Sequence, residues 1–319
     1  MVGRSVNCPL TIDFRPILCH TKSMKNIHIE HPEDQILTGD LSVIDLLYDF
    51  DSASVKIDGA PAIVWGTNPA TGKFFVGTKS VFNKVKIKIN HSHEEIDQNH
   101  EGQVATILHA CFDCLPVTES VYQCDFIGFG GSDTYCPNTI TYKFPEVVSQ
   151  DIIIAPHTCY YAENDLRDAV AMPDRAIWND TPNVKFVRPS ASLNPYREDI
   201  EDVCNFAKQM ATTCTFVSEK EAVVIKKQIN ACFRTQTEVD ENDFTCDSNL
   251  IRLWKLVESI KQDLPFFIQV SDDVKCFIDE KETSHEGYVM TNEYGTYKLV
   301  NRYVFSYNNF NMQKSWSQK

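Results

Sequence analysis

The sequence predicts an α+β fold built on antiparallel sheet, with a helical stretch let into it. Three observations carry this. Short runs rich in β-branched and aromatic residues alternate with Gly, Pro and Asn clusters, as in Ser54 to Trp65, Thr67 to Gly72 and Lys73 to Thr78, the pattern of strands joined by tight turns. Over residues 195–265 the apolar residues recur instead at helical spacing, in three stripes. Strand-like runs then resume at Tyr288 to Met290, Tyr297 to Val300 and Tyr303 to Phe305. The strand-rich parts, 1–194 and 266–319, therefore read as one domain interrupted by a helical insertion at 195–265.

In chain order, residues 1–39 show no clear period. Asp40-Leu41-Ser42 can cap a short helix that carries Val43, Leu46 and Leu47. Ser54 to Trp65 reads as a strand, a Gly-Ala-Pro kink and a second strand, so Lys56 stands near a strand–turn junction. Val85 to Ile89 alternates strictly, which would place Lys84, Lys86 and Lys88 on one strand face. Gln103 to Cys114 is helical in pattern, with Val104, Ile107, Leu108 and Cys111 on one side. Val121 to Phe129, Thr139 to Phe144 and Asp151 to Ala155 read as strands, with a loop at Gly130 to Asp133. Asn194-Pro195 suits a helix cap followed by a first-turn proline, ahead of Ile200, Val203, Phe206, Ala207 and Met210. Ser218 with Glu221 matches a capping box, and Leu250, Leu253, Trp254, Val257 and Ile260 form the third stripe, stopped near Pro265. Such stripes are core-facing.

A chain of 319 residues with 43% hydrophobic and 11% aromatic content can bury a large core and is not of disordered composition. No apolar run is long enough to span a bilayer, and the opening MVGRSVNCPLTIDF lacks the apolar core of a signal peptide, so no membrane partner is expected. Twelve scattered Cys then fit reduced thiols and a cytoplasmic location, that of the host if the protein is viral. The net charge of -14 opposes nonspecific nucleic-acid binding over the whole surface. Residues 73–88 nevertheless hold Lys73, Lys79, Lys84, Lys86 and Lys88 without one acid, so Lys84, Lys86 and Lys88 are the candidate RNA contacts.

Chemistry concentrates at Lys56-Ile57-Asp58-Gly59. A partly neutral lysine amine can attack the α-phosphate of a nucleotide and hold the nucleotide as a phosphoramide. Asp58 would orient the loop or meet the ribose, and Gly59 would let the backbone approach a ligand. The tetrad alone also fits a plain Asp-Gly surface turn. Further along come Asp125 within the apolar strand Tyr122 to Phe126, His157 at the end of Asp151 to His157, Glu286 in His285 to Met290, and Lys298 opening Lys298-Leu299-Val300. A nucleophilic lysine, acids and a second lysine suit binding of a nucleoside triphosphate with Mg²⁺. Other clusters say less. Cys111 in His109-x-Cys111-x-x-Cys114 belongs to an apolar helix face, His91, His93 and His100 read as a polar loop, and Gly128, Gly130 and Gly131 lack phosphate-loop spacing.

In this order of motifs the chain resembles the covalent lysine nucleotidyltransferases, that is, ATP-dependent DNA and RNA ligases and mRNA capping enzymes. It is still more similar to a group of tailed-phage proteins described as RNA ligases, through Lys56 to Ala62, Gly72 to Val76, Phe82 to Lys84, Pro137 to Tyr142 and His157-Thr158. The resemblance covers most of 50–160 and 285–310. It implies a nucleotidyltransferase fold and an ATP-dependent RNA ligase acting on RNA, or DNA, ends. Lys56 would be the catalytic nucleophile. Asp58, Gly59, Lys79, Asp125, His157, Glu286 and Lys298 would bind nucleotide, and Asp125 and Glu286 would bind Mg²⁺. Two departures stand out. Asp125 occupies a position where these ligases usually carry Glu, and Val300 interrupts the usual final K-x-K, with Arg302 as a candidate substitute cation. The short tail after Lys298 argues against the capping class. Two other readings fit the same residues: a nucleotide- or nucleic-acid-binding protein that does not join strands, and an enzyme that transfers AMP to protein.

Overall fold

The structure, a computed structural model, describes residues 29–311 apart from 50, 51, 175, 194–197, 272, 279, 293 and 294. Its described strands form three sheets. The first contains β1 (Ser52–Lys56), β10 (Ser190–Leu193), β11 (Ile268–Ser271), β14 (Gly287–Asn292) and β15 (Gly295–Val300), in the order β11-β10-β1-β14-β15 with every pair antiparallel. The second contains β2 (Ala62–Thr67), β3 (Phe74–Gly77), β4 (Val121–Phe129), β7 (Ile152–Tyr161), β8 (Val170–Pro173) and β9 (Val184–Phe186), in the order β3-β2-β4-β7-β8, with β9 added parallel to β7. The third is β13 (Lys281–Thr283), β12 (Lys275–Ile278), β6 (Thr141–Lys143) and β5 (Thr134–Tyr135), paired in that order. The expected α+β class with antiparallel sheets is what the chain forms.

The two strands read at 54–65 do not form a hairpin. β1 joins the first sheet and β2 the second, and residues 57–61, with a cis Ala60–Pro61 bond, carry the chain between them. The crossing is tied down on β4. Ala60 N–H donates to Phe126 O (2.9 Å), and Phe126 N–H donates to Pro61 O (3.1 Å). β2 is buried on both faces. Ile63 and Trp65 pack on Ile107, Leu108 and Cys111 of α4 (Gly102–Cys114), while Val64 packs with Phe75, Val81, Val121 and Tyr160. Each such side chain contributes roughly 1.5–3 kcal/mol through burial.

The stretch expected to be helical holds α5 (Glu198–Ala211), α6 (Glu219–Thr235) and α7 (Ser248–Asp263), and both halves of the Ser218–Glu221 capping box are made. These helices have no core of their own. Ala207, Ile229, Phe233, Leu253 and Trp254 share one apolar cluster with Ile36 before α2 (Ser42–Tyr48), with Val43, Ile44 and Leu47 of α2, and with Val55, Met290 and Leu299 of the first sheet. α1 (Pro32–Gln35) packs against α7.

Three expectations are corrected. Residues 83–89 are not a strand: Lys86 adopts φ 58°, and Val85 is 76% and Ile87 38% exposed. Among the described residues the alternation there meets no strand to pair with, and only Ile89 of its apolar face is packed on the core, so Lys84, Lys86 and Lys88 share no strand face. The polar run at His93 is a helix, α3 (His93–Asn99), because the Ser92 side chain accepts from Glu95 N–H and caps it. Tyr303 to Phe305 lies in α8 (Arg302–Asn311), which packs on α6 through a 4.6 Å edge contact between Tyr303 and Phe233. The Asn194-Pro195 cap and the first 28 residues lie outside the described residues.

Candidate functional site

Where β1 ends, the 57–61 crossing, β4, β7 and β15 enclose a cavity of about 290 Å³. Lys56, Asp58, Gly59, Lys79, Asp125, His157 and Lys298 all line it. Glu286 joins them through Lys56. β14 runs antiparallel to β1 with Gly287 opposite Lys56, so the carboxylate of Glu286, one residue earlier, accepts directly from Lys56 Nζ. Asp58 Oδ1 stands 3.3 Å from the same nitrogen. Asp58 is itself held by Asn138, whose Nδ2 donates to Oδ2 (2.6 Å), and by its own N–H, which donates to the hydroxyl of Tyr142 (2.8 Å). Lys298 enters from β15, opposite Val289.

Gly59 lines the cavity and also lets the crossing lie against β4. A Cβ there would lie 2.5 Å from Phe126 O and 3.1 Å from Asp125 Cβ, so only glycine lets the loop lie flat on β4. His157 is aimed by an irregularity. β4 pairs Gln123 with Thr158 and Cys124 with Pro156, leaving His157 as the extra residue of a bulge. Pro156 cannot donate to the ladder, and a bulge is one of the few places where a sheet tolerates proline. His157 Nε2 then stands 3.7 Å from Asp125 Oδ1 and 3.3 Å from Gln123 Nε2, while Tyr160 OH donates to Gln123 Oε1 (2.8 Å).

Burial by itself would lower the Lys56 amine, but Glu286, Asp58 and Asp125 outweigh it and raise it, so Lys56 is charged at rest. Burial pushes Glu286 up, and the Lys56 charge partly opposes this. Asp125 is held below the usual range despite burial, chiefly by His157 and then by Lys56. Lys298 is pushed down by burial, by Lys56 and by Arg302. Arg302 does not reach the cavity to replace the missing cation of the final motif. It pairs with Asp34 of α1, and Val300 is buried in the core.

The RNA candidates behave differently. Lys84 and Lys86 are exposed outside the cavity, and Lys88 Nζ is occupied by Asn99 O (2.5 Å). Among the described residues no three His, Cys, Asp or Glu side chains form a metal cage. His109 bonds His93 and Asp97 rather than the neighbouring cysteines, and Cys111 is buried in the core. Glu286 and Asp58 both meet Lys56 Nζ and Asp125 lines the same cavity; Mg²⁺ keeps several waters and takes one or two carboxylates together with substrate phosphates, so it needs no such cage. Sequence reasoning gave no role to Asn138, Tyr142, Gln123 and Tyr160. The first two lie in the Pro137 to Tyr142 segment, whose polar and aromatic content was the available signal.

Fold and site together define an α+β protein with a lysine–carboxylate cavity at the junction of antiparallel sheets. The chain belongs to a family of unknown function, DUF6267, whose profile matches residues 26–248 and 183–314. No curated protein and no solved structure matches it.

Proposed function

We propose that the protein is an ATP-dependent, RNA-ligase-like nucleotidyltransferase in which Lys56 takes AMP. The observation that carries this reading is the meeting of Lys56, Asp58, Asp125 and Lys298 around one cavity, with Glu286 on Lys56, from segments spread over most of the chain. The reading includes a nucleotidyltransferase fold made by the strand-rich parts and a cytoplasmic site of action.

The first step requires the Lys56 ammonium to lose its proton, and Glu286 is the acceptor already in contact. The neutral amine then attacks the α-phosphorus. A P–N bond forms as the P–O bond to pyrophosphate breaks. Lys298 and Lys79 line the same cavity and supply cations to the phosphates, and Asp58, fixed by Asn138 and Tyr142, faces the nucleotide. Asp125, and Glu286 once it has passed the Lys56 proton on to water, would hold Mg²⁺, which would supply charge to the phosphate oxygens. AMP then passes to a 5′-phosphate end, and a 3′-hydroxyl displaces it to seal RNA or DNA. Exposed Lys84 and Lys86 are the backbone contacts in this reading.

A second reading has one observation in its favour. The three carboxylates keep Lys56 charged, and a charged amine binds phosphate but does not attack it. That suits a nucleotide-binding protein without transfer. Incubation with α-labelled ATP and Mg²⁺, followed by denaturing electrophoresis and peptide mass mapping, separates the two. An AMP adduct on Lys56 is expected, and its absence with every nucleoside triphosphate overturns the enzyme. Adding 5′-phosphorylated RNA to the adduct then tells strand joining from AMP transfer to protein.

A further inference from the structure

Around Arg302, four residues along the chain from Lys298, lies a second set of charges that the reaction above does not use. Glu33, Asp34, Lys261 and Arg302 are between 0% and 4% exposed. Lys261 Nζ donates to Glu33 Oε1 (2.5 Å), and Arg302 Nη1 donates to Asp34 Oδ1 (3.0 Å) and lies 3.5 Å from Glu33 Oε1. Arg302 Nη2 pairs with the other oxygen of Asp34, and Trp254 Nε1 donates to Asp34 Oδ1 (3.2 Å). The charges come from α1, α7 and α8, and the Arg302 guanidinium lies over the Phe233 ring of α6 at 5.3 Å.

Two carboxylates and two cations cancel, yet each had to leave water to be there. Apolar residues of similar volume often fill such a site with no loss of stability, so stability alone is a poor account of the set. Its connections suggest another. Arg302 opens α8 directly after β15, the strand that carries Lys298. On the other side Glu30, just before α1, bridges to Tyr297, and its carbonyl accepts from Lys298 N–H (3.0 Å). Ile29 lines the cavity beside Lys298. Between the two sits His31, its Nδ1 buried without a hydrogen-bond partner, close enough to Arg302, Lys261, Lys298 and Lys56 to feel all four.

The geometry points to a positioning device: the Glu33–Asp34–Lys261–Arg302 network sets where Lys298 and the Ile29–Glu30 segment stand over the cavity, and so makes the site depend on α6 and α7. Only the kinetic half of its test rests on the function proposed above.

The double variant Glu33→Gln, Lys261→Met removes the Lys261–Glu33 pair and the Arg302–Glu33 contact without changing net charge. Two measurements are made on wild type and variant. The first is the pH dependence of amine-reagent labelling at Lys298, read by peptide mass spectrometry. The second is the ATP dependence of adduct formation at Lys56. In the variant, Lys298 labelling should move toward that of an ordinary exposed lysine. KM for ATP should rise about tenfold with a smaller change in kcat, the signature of lost ground-state binding. Lys261→Arg alone, which keeps the charge and the pair with Glu33, should leave both near wild type, and Glu33→Gln alone, read in the same two measurements, is the test if the double variant does not fold. An unchanged Lys298 labelling profile in a folded variant overturns the inference. Altered labelling together with no adduct in wild type supports the positioning role and overturns the ligase reading.

Discussion

Lys56 and Glu286, 230 residues apart in the chain, share an ion pair because β1 and β14 run antiparallel with Gly287 facing Lys56. Gly287 lets β15 close on the other edge of β14: a Cβ there would fall 1.9 Å from Leu299 O. The pair decides the resting chemistry. It stores the amine as an ammonium and puts the proton acceptor in place before any nucleotide arrives.

Lys56→Ala should abolish the AMP adduct. It also leaves Glu286 buried without its counter-charge, at a cost of about 1–3 kcal/mol. Adding Glu286→Gln should recover part of that stability and none of the adduct. Labelling gels and urea unfolding midpoints read the two effects separately, and adduct of wild-type intensity in Lys56→Ala would reject the assignment.

Lys298→Ala and Glu286→Ala should each slow the first step by on the order of 10²–10³, as for removal of one preorganised charged group. Single-turnover labelling measures this. Asp125→Glu, which restores the acid usual in the ligases that the chain resembles, should keep activity if the longer carboxylate still meets His157.

The lysines at 84–88 should divide. Lys84→Ala with Lys86→Ala should spare the adduct but weaken RNA binding. It should also flatten the plot of log affinity against log salt by about 1.4, near 0.7 for each single-strand phosphate that is no longer neutralised. Lys88→Ala should leave that slope unchanged and loosen α3, since its amine holds the Asn99 carbonyl. Fluorescence titrations at several salt concentrations test both.

His31 predicts a pH dependence of stability. Burial, then Arg302, Lys261, Lys298 and Lys56, hold its imidazole well below the usual value near 6.5. Below that value the unfolded chain binds a proton that the folded chain does not, so this contribution is complete above pH 6.5 and falls as pH falls. The loss is about 1.4 kcal/mol per pH unit until the folded imidazole titrates. The unfolding free energy of His31→Asn should therefore drop less than that of wild type between pH 7.5 and pH 5.5. Parallel curves would show that His31 takes up its proton as readily in the fold as in the unfolded chain.

Gly59→Ala should destabilise by about 1–3 kcal/mol, the range for overpacking, because the new methyl meets Phe126 O. Loss of the adduct should accompany it as Lys56 and Asp58 are pushed off β4. Thermal unfolding and labelling of the same sample check this, and unchanged values would mean that the crossing can shift at no cost.

Much of the local structure was legible in the order of residues. The helical period over α4 and α7, the capping box at Ser218 and the full span of β4 depend on each residue's near neighbours, and those are written in order along the chain. Lys56, Asp58, Asp125, His157 and Lys298, which meet at the cavity, could be singled out from the order of the motifs, because a lysine or an acid inside or beside an apolar strand stands out in the sequence. Tertiary structure decided the rest. Alternation at 85–89 gave no strand, since a strand needs a partner for its hydrogen bonds and a layer for its apolar face. The strands on either side of Gly59 parted into different sheets. Arg302 turned away from the cavity to two buried acids on α1, and His157 turned into it through a bulge. The helices at 198–263, contiguous in sequence, joined the core that also holds β1, β14 and β15. Each of these outcomes depends on groups brought together from distant parts of the chain, where register, burial and charge pairing outweigh any local preference.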